Sequence, residues 1–451
     1  MRAEEVLPFL PPSVTRSDRR ARPVGSLWKV LSDAREIGRN DRTDERHHEI
    51  GNPRRTRLRI RRAGDTRFGR GSETAVRFPF VGAPNNIVVI GAGIVGCAIA
   101  YELARRGASV QIVDDRLAGM GATQASAGVL APYIEASEGG TLLELTARSL
   151  GLFEDFVARV TSDSGMSVMY RRTGTLDVAM DGETLVRFGA TCRTLAARGV
   201  AAELLDAEAA RRAEPQLNEG VLGALLIPSQ GFVAATALTR ALAAAARRHG
   251  AHLLEHGRVL RIARASGELA VVTDRGSLTG AVVLAAGSWS GQIEIEGVSD
   301  RVPVRPVRGQ LLQLAWNGPP LGRVVWSERC YLVPWEDGTL LVGATVEDAG
   351  FDERTTSAGV HDLLEAACEL VPRAWTATFV AARAGLRPAT ADELPVIGAS
   401  GAVPNLMYAT GHFRNGVLLS PLTADLVADA VLENRFDPIL AATNPCRFGT
   451  L

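Results

Sequence analysis

Asn86-Ile87-Val88-Val89-Ile90-Gly91-Ala92-Gly93-Ile94-Val95-Gly96-Cys97-Ala98-Ile99-Ala100-Tyr101-Glu102-Leu103-Ala104-Arg105-Arg106-Gly107 is the stretch from which the fold can be read. Ile87–Ile90 is an unbroken β-branched run ending at glycine, the pattern of a strand buried on both faces. From Ile94 the pattern turns helical, and Arg105-Arg106-Gly107 supplies cations to the last turn and a glycine to stop it. Val110-Gln111-Ile112-Val113 is a second strand, ending at Asp114-Asp115. Strand, glycine turn, helix and strand make a βαβ unit. The rival reading, a membrane span, fails because Gly91, Gly93 and Gly96 interrupt a run that reaches Glu102 too soon.

The three glycines form G-x-G-x-x-G in the right context, after a strand and at the start of a helix. Gly91 permits the tight turn, Gly93 lets the backbone approach a pyrophosphate, and Gly96 lets the helix pack close to the strand. The pyrophosphate meets the helix N-terminus, where unpaired N–H groups favour anions. Asp114, at the end of the second strand, is placed to accept a ribose hydroxyl. The fingerprint does not separate FAD from NAD.

Outward from this unit, helical patterns occur near 141–160, 183–198, 234–249 and 357–371. Strand-like runs occur near 168–179, 221–227, 256–264, 269–274, 281–286, 303–316, 323–334, 339–346 and 406–410. A strand-rich middle inside an α/β frame predicts two interleaved domains, one sheet beside the nucleotide-binding fold. The chain has 451 residues, 46% of them hydrophobic, with 50 basic and 50 acidic side chains. That is two or three domains' worth of chain, and zero net charge argues against a generally cationic nucleic-acid binder. Cys97, Cys192, Cys330, Cys368 and Cys446 form no C-x-x-C pair, so a reduced, cytoplasmic protein without structural disulfides is expected.

The charge is unevenly spread. Residues 1–84 hold 18 Arg and one Lys against 11 acids, without sustained apolar periodicity. They read as a disordered extension, or as upstream sequence outside a working protein that begins near Asn85. The alternatives are a nucleic-acid arm or a targeting segment, but no apolar run follows Arg19-Arg20 as a twin-arginine signal requires. His249, His252 and His256 have H-x-x-H spacing, which Gly250 interrupts, so no metal is expected.

Further motifs carry chemistry. Ala122-Thr123-Gln124-Ala125-Ser126-Ala127-Gly128-Val129 offers small residues against which a flat ring could lie. Val282-Val283-Leu284-Ala285-Ala286-Gly287 is another buried strand ending at glycine, and such ends face the ligand crevice of an open α/β sheet. Most specific are Gly385-Leu386-Arg387-Pro388 and Gly411-His412-Phe413-Arg414-Asn415-Gly416-Val417-Leu418.

With these motifs and Pro306-Val307-Arg308-Gly309-Gln310, residues 85 to about 435 resemble the D-amino-acid-oxidase superfamily of FAD-dependent amine oxidoreductases. Within it they are most similar to the glycine oxidases of thiamine biosynthesis. The resemblance implies a Rossmann-like FAD-binding domain (85–165, 228–300 and 385–435) interleaved with a mixed or antiparallel-sheet substrate domain (166–227 and 301–384), and a tail over 436–451. By position it implies that Arg387 pairs with the substrate carboxylate, as a planar two-donor guanidinium suits. Tyr331 closes the pocket, Arg414 is a second pocket arginine, and the loop His412–Leu418 lies along the flavin. Ile94 and Val95 meet FAD at the dinucleotide turn, Asp114 and Asp115 lie at the ribose, Ala122, Thr123, Ala127, Gly128 and Val129 form a second FAD-contacting stretch, and Val259 lies near the adenine.

The sequence departs from the family in two ways. Asp114 stands where glutamate is commoner, and Arg329 and Val129 fill pocket-side positions where some relatives carry histidine and methionine. The absence of cysteine between Cys368 and Cys446 predicts noncovalent FAD. The implied reaction is hydride transfer from the Cα of glycine or another small amine, giving an imine, then glyoxylate and ammonia, with oxygen as the electron acceptor. Thiazole-synthesis enzymes are implied partners, a homo-oligomer is expected, and no membrane span is expected. A quinone-linked D-amino-acid dehydrogenase and a sarcosine-type oxidase are the enzymatic alternatives; an arginine-tailed nucleic-acid-binding protein is the remote one.

Overall fold

The computed structural model describes residue 84 and residues 86–135 and 139–451. The extension expected over 1–84 lies outside the described residues, apart from Pro84.

Asn86–Ile90 sits in the middle of a parallel array. It pairs with Gly276–Leu284 on one side and Ser109–Val113 on the other. Leu406–Thr410 extends the array past the former, His252–Leu254 past the latter. The β-branched run explains its central place. Ile87 and Val89 enter the core beneath the helices, and Val88 and Ile90 enter a second core on the opposite face. Full burial of each is worth about 1.5–3 kcal/mol, and no polar face is left for solvent. Val259–Ala265 and Glu268–Thr273 form an antiparallel meander leading into Gly276–Leu284.

The helix Ile94–Arg105 packs between Ala235–Arg248 and Gly416–Glu433. Among the described residues, Phe413–Glu433 is the one helical stretch long and apolar enough to cross a membrane, but 78% of its apolar window is buried inside the protein. Its all-round apolarity is that of a core helix.

The second sheet has eight strands, in the order Thr378–Ala389, Arg305–Ala315, Thr339–Gly343, Tyr331–Pro334, Val324–Trp326, Thr175–Ala179, Gly223–Ile227 and Glu203–Asp206. Alternation along the strands gives it two apolar faces. Leu312, Leu314, Leu332 and Val342 pack against the helix Ser357–Leu370. Leu311, Val333 and Leu341 face Ala127 and Val129, from the small-residue stretch after the βαβ unit.

The four helices expected downstream of the βαβ unit occur as Thr141–Ser164, Gly182–Ala197, Ala235–Arg248 and Ser357–Leu370. Two long elements are absent from the sequence reading, the strand Thr378–Ala389 and the helix Gly416–Glu433.

Candidate functional site

The glycine turn follows the carboxyl end of the central parallel strand Asn86–Ile90. Gly91 has φ +107°, and a Cβ on it would lie 2.5 Å from the Ala285 carbonyl oxygen. Gly96 is tighter still, since its Cβ would lie 1.9 Å from the Gly91 oxygen. Both positions exclude any side chain. Gly93 differs. Its Cβ would meet only the Thr123 hydroxyl, at 3.8 Å, so open space lies in front of this residue. It caps the helix without a side-chain hydrogen bond, and the helix end therefore faces the space with backbone donors. That fits a pyrophosphate-bearing cofactor such as FAD. Ile94 N–H donates to Thr123 Oγ1 at 3.2 Å, tying the 3₁₀ turn Ala122–Ala125 to the same helix end. Val95 lies beside Gly416, whose Cβ would stand 4.0 Å from Val95 Cγ2.

Asp114 accepts from the backbone of Ala92 at 2.6 Å and of Arg116 at 2.8 Å, one N–H on each carboxylate oxygen. Burial nevertheless raises its pKa, against the lowering effect of those donors. Each oxygen keeps a second lone pair for a ribose hydroxyl. Asp115 is exposed beside it. Val259 opens its strand nearby, on the apolar cluster that includes Leu254. Gly287, at φ +52°, offers its carbonyl to the Thr410 hydroxyl at 3.0 Å. Gly128, at φ +71°, brings its backbone against Val233, whose oxygen would be 1.8 Å from a Cβ.

The region expected as a loop over His412–Leu418 is mostly helical. Phe413–Asn415 form a 3₁₀ turn beside Thr378–Ala389, and Gly416, Val417 and Leu418 are the first residues of an 18-residue helix. Packing accounts for the difference: Val417 and Leu418 are buried in the core under the parallel sheet, which holds them helical despite the leading glycine. His412 is buried, its Nε2 3.1 Å from Thr423 Oγ1, and burial pushes its pKa down to about 3, so the ring is neutral. The Arg414 guanidinium stands 5.4 Å from the Phe413 ring centroid.

On the eight-stranded sheet, pairing sets Arg387 opposite Val307, Gly385 opposite Gly309, and Gly343 opposite both Leu311 and Tyr331. Paired residues share a face, so Arg387, Gly309, Gly343 and Tyr331 all look toward Ala127 and Val129. Arg387 lies flat on Gly309, where a Cβ would come within 2.1 Å of Nη1, and Tyr331 lies on Gly343, where a Cβ would be 2.6 Å from its hydroxyl. Arg387 Nη1 donates to the Thr345 carbonyl at 2.9 Å. The Tyr331 ring packs on Trp326, centroids 4.9 Å apart. Gly385 in turn touches Ala122 and Ala125, so one strand meets the turn Ala122–Ala125 and carries the arginine.

Arg329 departs from its expected pocket-side place. It ion-pairs with Glu365 and Glu369 on the helix Ser357–Leu370, which covers the opposite face of the sheet. Two glutamates within reach of an exposed guanidinium draw it outward. His249, His252 and His256 also separate: His249 caps its helix 2.9 Å from Asp163 Oδ2, His252 starts a strand, and His256 turns at φ +59°. Sequence reasoning missed the structural part of Gly309 and Gly343, although isolated glycines inside apolar strands mark a close approach.

The chain is similar to known proteins in sequence and in fold. The family described as FAD dependent oxidoreductase matches residues 86–430. The chain is 33% identical to a glycine oxidase of Bacillus licheniformis, over 77% of this chain and 93% of that protein. It is 35% identical to the bifunctional protein ThiO/ThiG of Nostoc sp. over 79% of its own length, and spans only 54% of that relative. The crystal structure of glycine oxidase from Geobacillus kaustophilus superposes with a TM-score of 0.77 at 34% identity, covering 81% of this chain and 98% of that one.

Proposed function

Since the chain belongs to the FAD-dependent oxidoreductase family, we propose that it oxidises glycine, or another small amino acid, at the carbon bearing the amine. The overall change is glycine, oxygen and water to glyoxylate, ammonia and hydrogen peroxide. One observation carries this reading: Arg387 and Tyr331 share a sheet face, each lying on a glycine, opposite the small residues Ala127 and Val129. The glycines at 309 and 343 make room for the guanidinium and the phenol ring to lie against the sheet, and a guanidinium presents two parallel donors to a substrate carboxylate. FAD, when bound, supplies the two-electron acceptor. The protein's part is orientation, which can supply roughly 7–11 kcal/mol of barrier lowering in well-aligned cases. Arg387 and Tyr331 hold the carboxylate, and the apolar cluster of Leu311, Val333, Leu341 and Phe232 keeps water from the reacting carbon.

Gly93, the helix end behind it, Asp114 and Thr123 would hold the cofactor without a covalent bond. Cys97, close by, is fully buried, donates to the Ala92 carbonyl and has its pKa raised to about 12 by burial, so its thiol is inert. The likeness to a bifunctional ThiO/ThiG protein supports a role in feeding thiazole formation. The deciding experiment is an anaerobic absorption spectrum of the purified protein before and after glycine. An oxidised flavin spectrum that bleaches supports the reading; a protein that takes up no FAD overturns it. Bleaching by N-methylglycine but not glycine selects a sarcosine-type activity, and absence of peroxide in air selects a quinone-linked dehydrogenase.

A further inference from the structure

Arg387 is braced from a loop as well as from its own sheet. Residues 344–356 connect Thr339–Gly343 to the helix Ser357–Leu370, and this loop supplies the Thr345 carbonyl that accepts Arg387 Nη1 at 2.9 Å. A second acceptor for the same nitrogen is the Arg308 carbonyl, at 3.4 Å. Both carbonyls belong to one polar cluster centred on Glu347. Its carboxylate accepts from Arg308 Nε at 3.1 Å and Nη2 at 2.5 Å, from Gln310 Nε2 at 2.7 Å, and from the Thr345 hydroxyl. Its backbone exchanges two 2.9 Å hydrogen bonds with that of Arg308.

The cluster has little slack. Gln310 is fully buried; its amide also donates to Thr356 Oγ1 at 3.0 Å and accepts Thr356 N–H at 2.8 Å, and its backbone N–H donates to Thr345 Oγ1 at 2.9 Å. Gly359 makes room for it, since a Cβ there would come within 2.3 Å of the Gln310 amide nitrogen. Arg308 is only 7% exposed and needs compensating anions, which Glu347 supplies on Nε and Nη2 and Asp352 on Nη1, at 3.2 Å. Burial alone would raise the Glu347 pKa, but the donors from Thr345, Gln310 and Arg308 outweigh it and hold the carboxyl below its ordinary value. A network satisfied this completely has one geometry.

We propose that Glu347 is a positioning residue for Arg387. By gathering Arg308, Gln310 and Thr345 it fixes the two carbonyls that hold the guanidinium, and so sets the affinity for the substrate carboxylate. This rests on the carboxylate-binding reading of Arg387, and the test separates the two.

Glu347→Gln, Arg387→Ala and the double variant are prepared with FAD. Each is assayed for glycine KM and kcat, and for binding of acetate, a non-reacting carboxylate, by perturbation of the flavin spectrum. Glu347→Gln is expected to weaken acetate binding and raise KM about tenfold, with a smaller effect on kcat, and to add less than about twofold in the Arg387→Ala background. Glu347→Asp should recover part of the loss. If Arg387→Ala raises KM but Glu347→Gln does not, or if the two effects multiply in full, the positioning role is overturned. If Arg387→Ala itself leaves KM and acetate binding unchanged, the carboxylate-binding reading falls instead. Should Glu347→Gln not fold, Thr345→Val removes one donor to the same carboxylate; a KM raised about two- to fivefold supports the role and an unchanged KM overturns it.

Discussion

Around Gly91 and Gly96 the protein is held by main chain against main chain, whereas around Arg387 a flexible side chain rests on a glycine of the neighbouring strand. At Gly96 an added methyl would lie 1.9 Å from a backbone oxygen; at Gly309 it would lie 2.1 Å from the end of an arginine. The distances are similar but the outcomes differ. A carbonyl inside a strand–turn–helix unit cannot withdraw without moving the parallel sheet, and a guanidinium can swing aside. The glycine turn should therefore fail as a whole, and the sheet that carries Arg387 by degrees.

The largest effect is expected from Gly96→Ala. Overpacking of about 3 kcal/mol or more, at the helix end proposed to hold FAD, should give protein with almost no bound flavin. The ratio of flavin to protein absorbance measures it, and full flavin occupancy with unchanged thermal stability would break the contrast. Next is Arg387→Ala, which removes charge-assisted hydrogen bonds worth about 1.5–3 kcal/mol. Glycine KM should rise about tenfold to a hundredfold in steady-state assays, while flavin content holds. Gly309→Ala should displace the guanidinium without removing it. A KM rise of about tenfold, with flavin content kept, would sharpen the comparison; lost flavin would show that the two regions are not separable.

A further effect, on stability rather than on binding, concerns pH. His412 has its pKa pushed from 6.5 in an open chain down to about 3 by burial. Unfolding lets it take up a proton below pH 6.5, so stability is lost as pH falls from 6.5 toward 3, by up to about 1.4 kcal/mol per pH unit. His412→Gln should flatten that slope between pH 6.5 and 5, read as the thermal midpoint against pH. An unchanged slope would assign the acid sensitivity to other groups.

The βαβ unit was legible within a residue or two because its signals are local: Ile87–Ile90 is buried on both faces, and Arg105, Arg106 and Gly107 end the helix at once. Thr378–Ala389 was not legible as a strand. Ala381, Ala382, Ala384 and Gly385 are poor strand formers, Phe379 and Val380 are exposed, and the segment is extended because Arg305–Ala315 pairs with it. The helix Gly416–Glu433 begins with glycine and contains Pro421, which conceals an element stabilised by burial. Arg387 and Tyr331 were legible only through family resemblance, since no local pattern tells that strands more than fifty residues apart will bring them to one face. Nothing local to Glu347 marks it at all; its partners come from another strand and from its own loop.

The strand Thr378–Ala389 presses Gly385 against the turn Ala122–Ala125 and presents Arg387 two residues later. With no hinge between those points, the contact with the turn and the position of the guanidinium are coupled through a single stretch of extended backbone, so a shift of this strand along its partner Arg305–Ala315 would move both together.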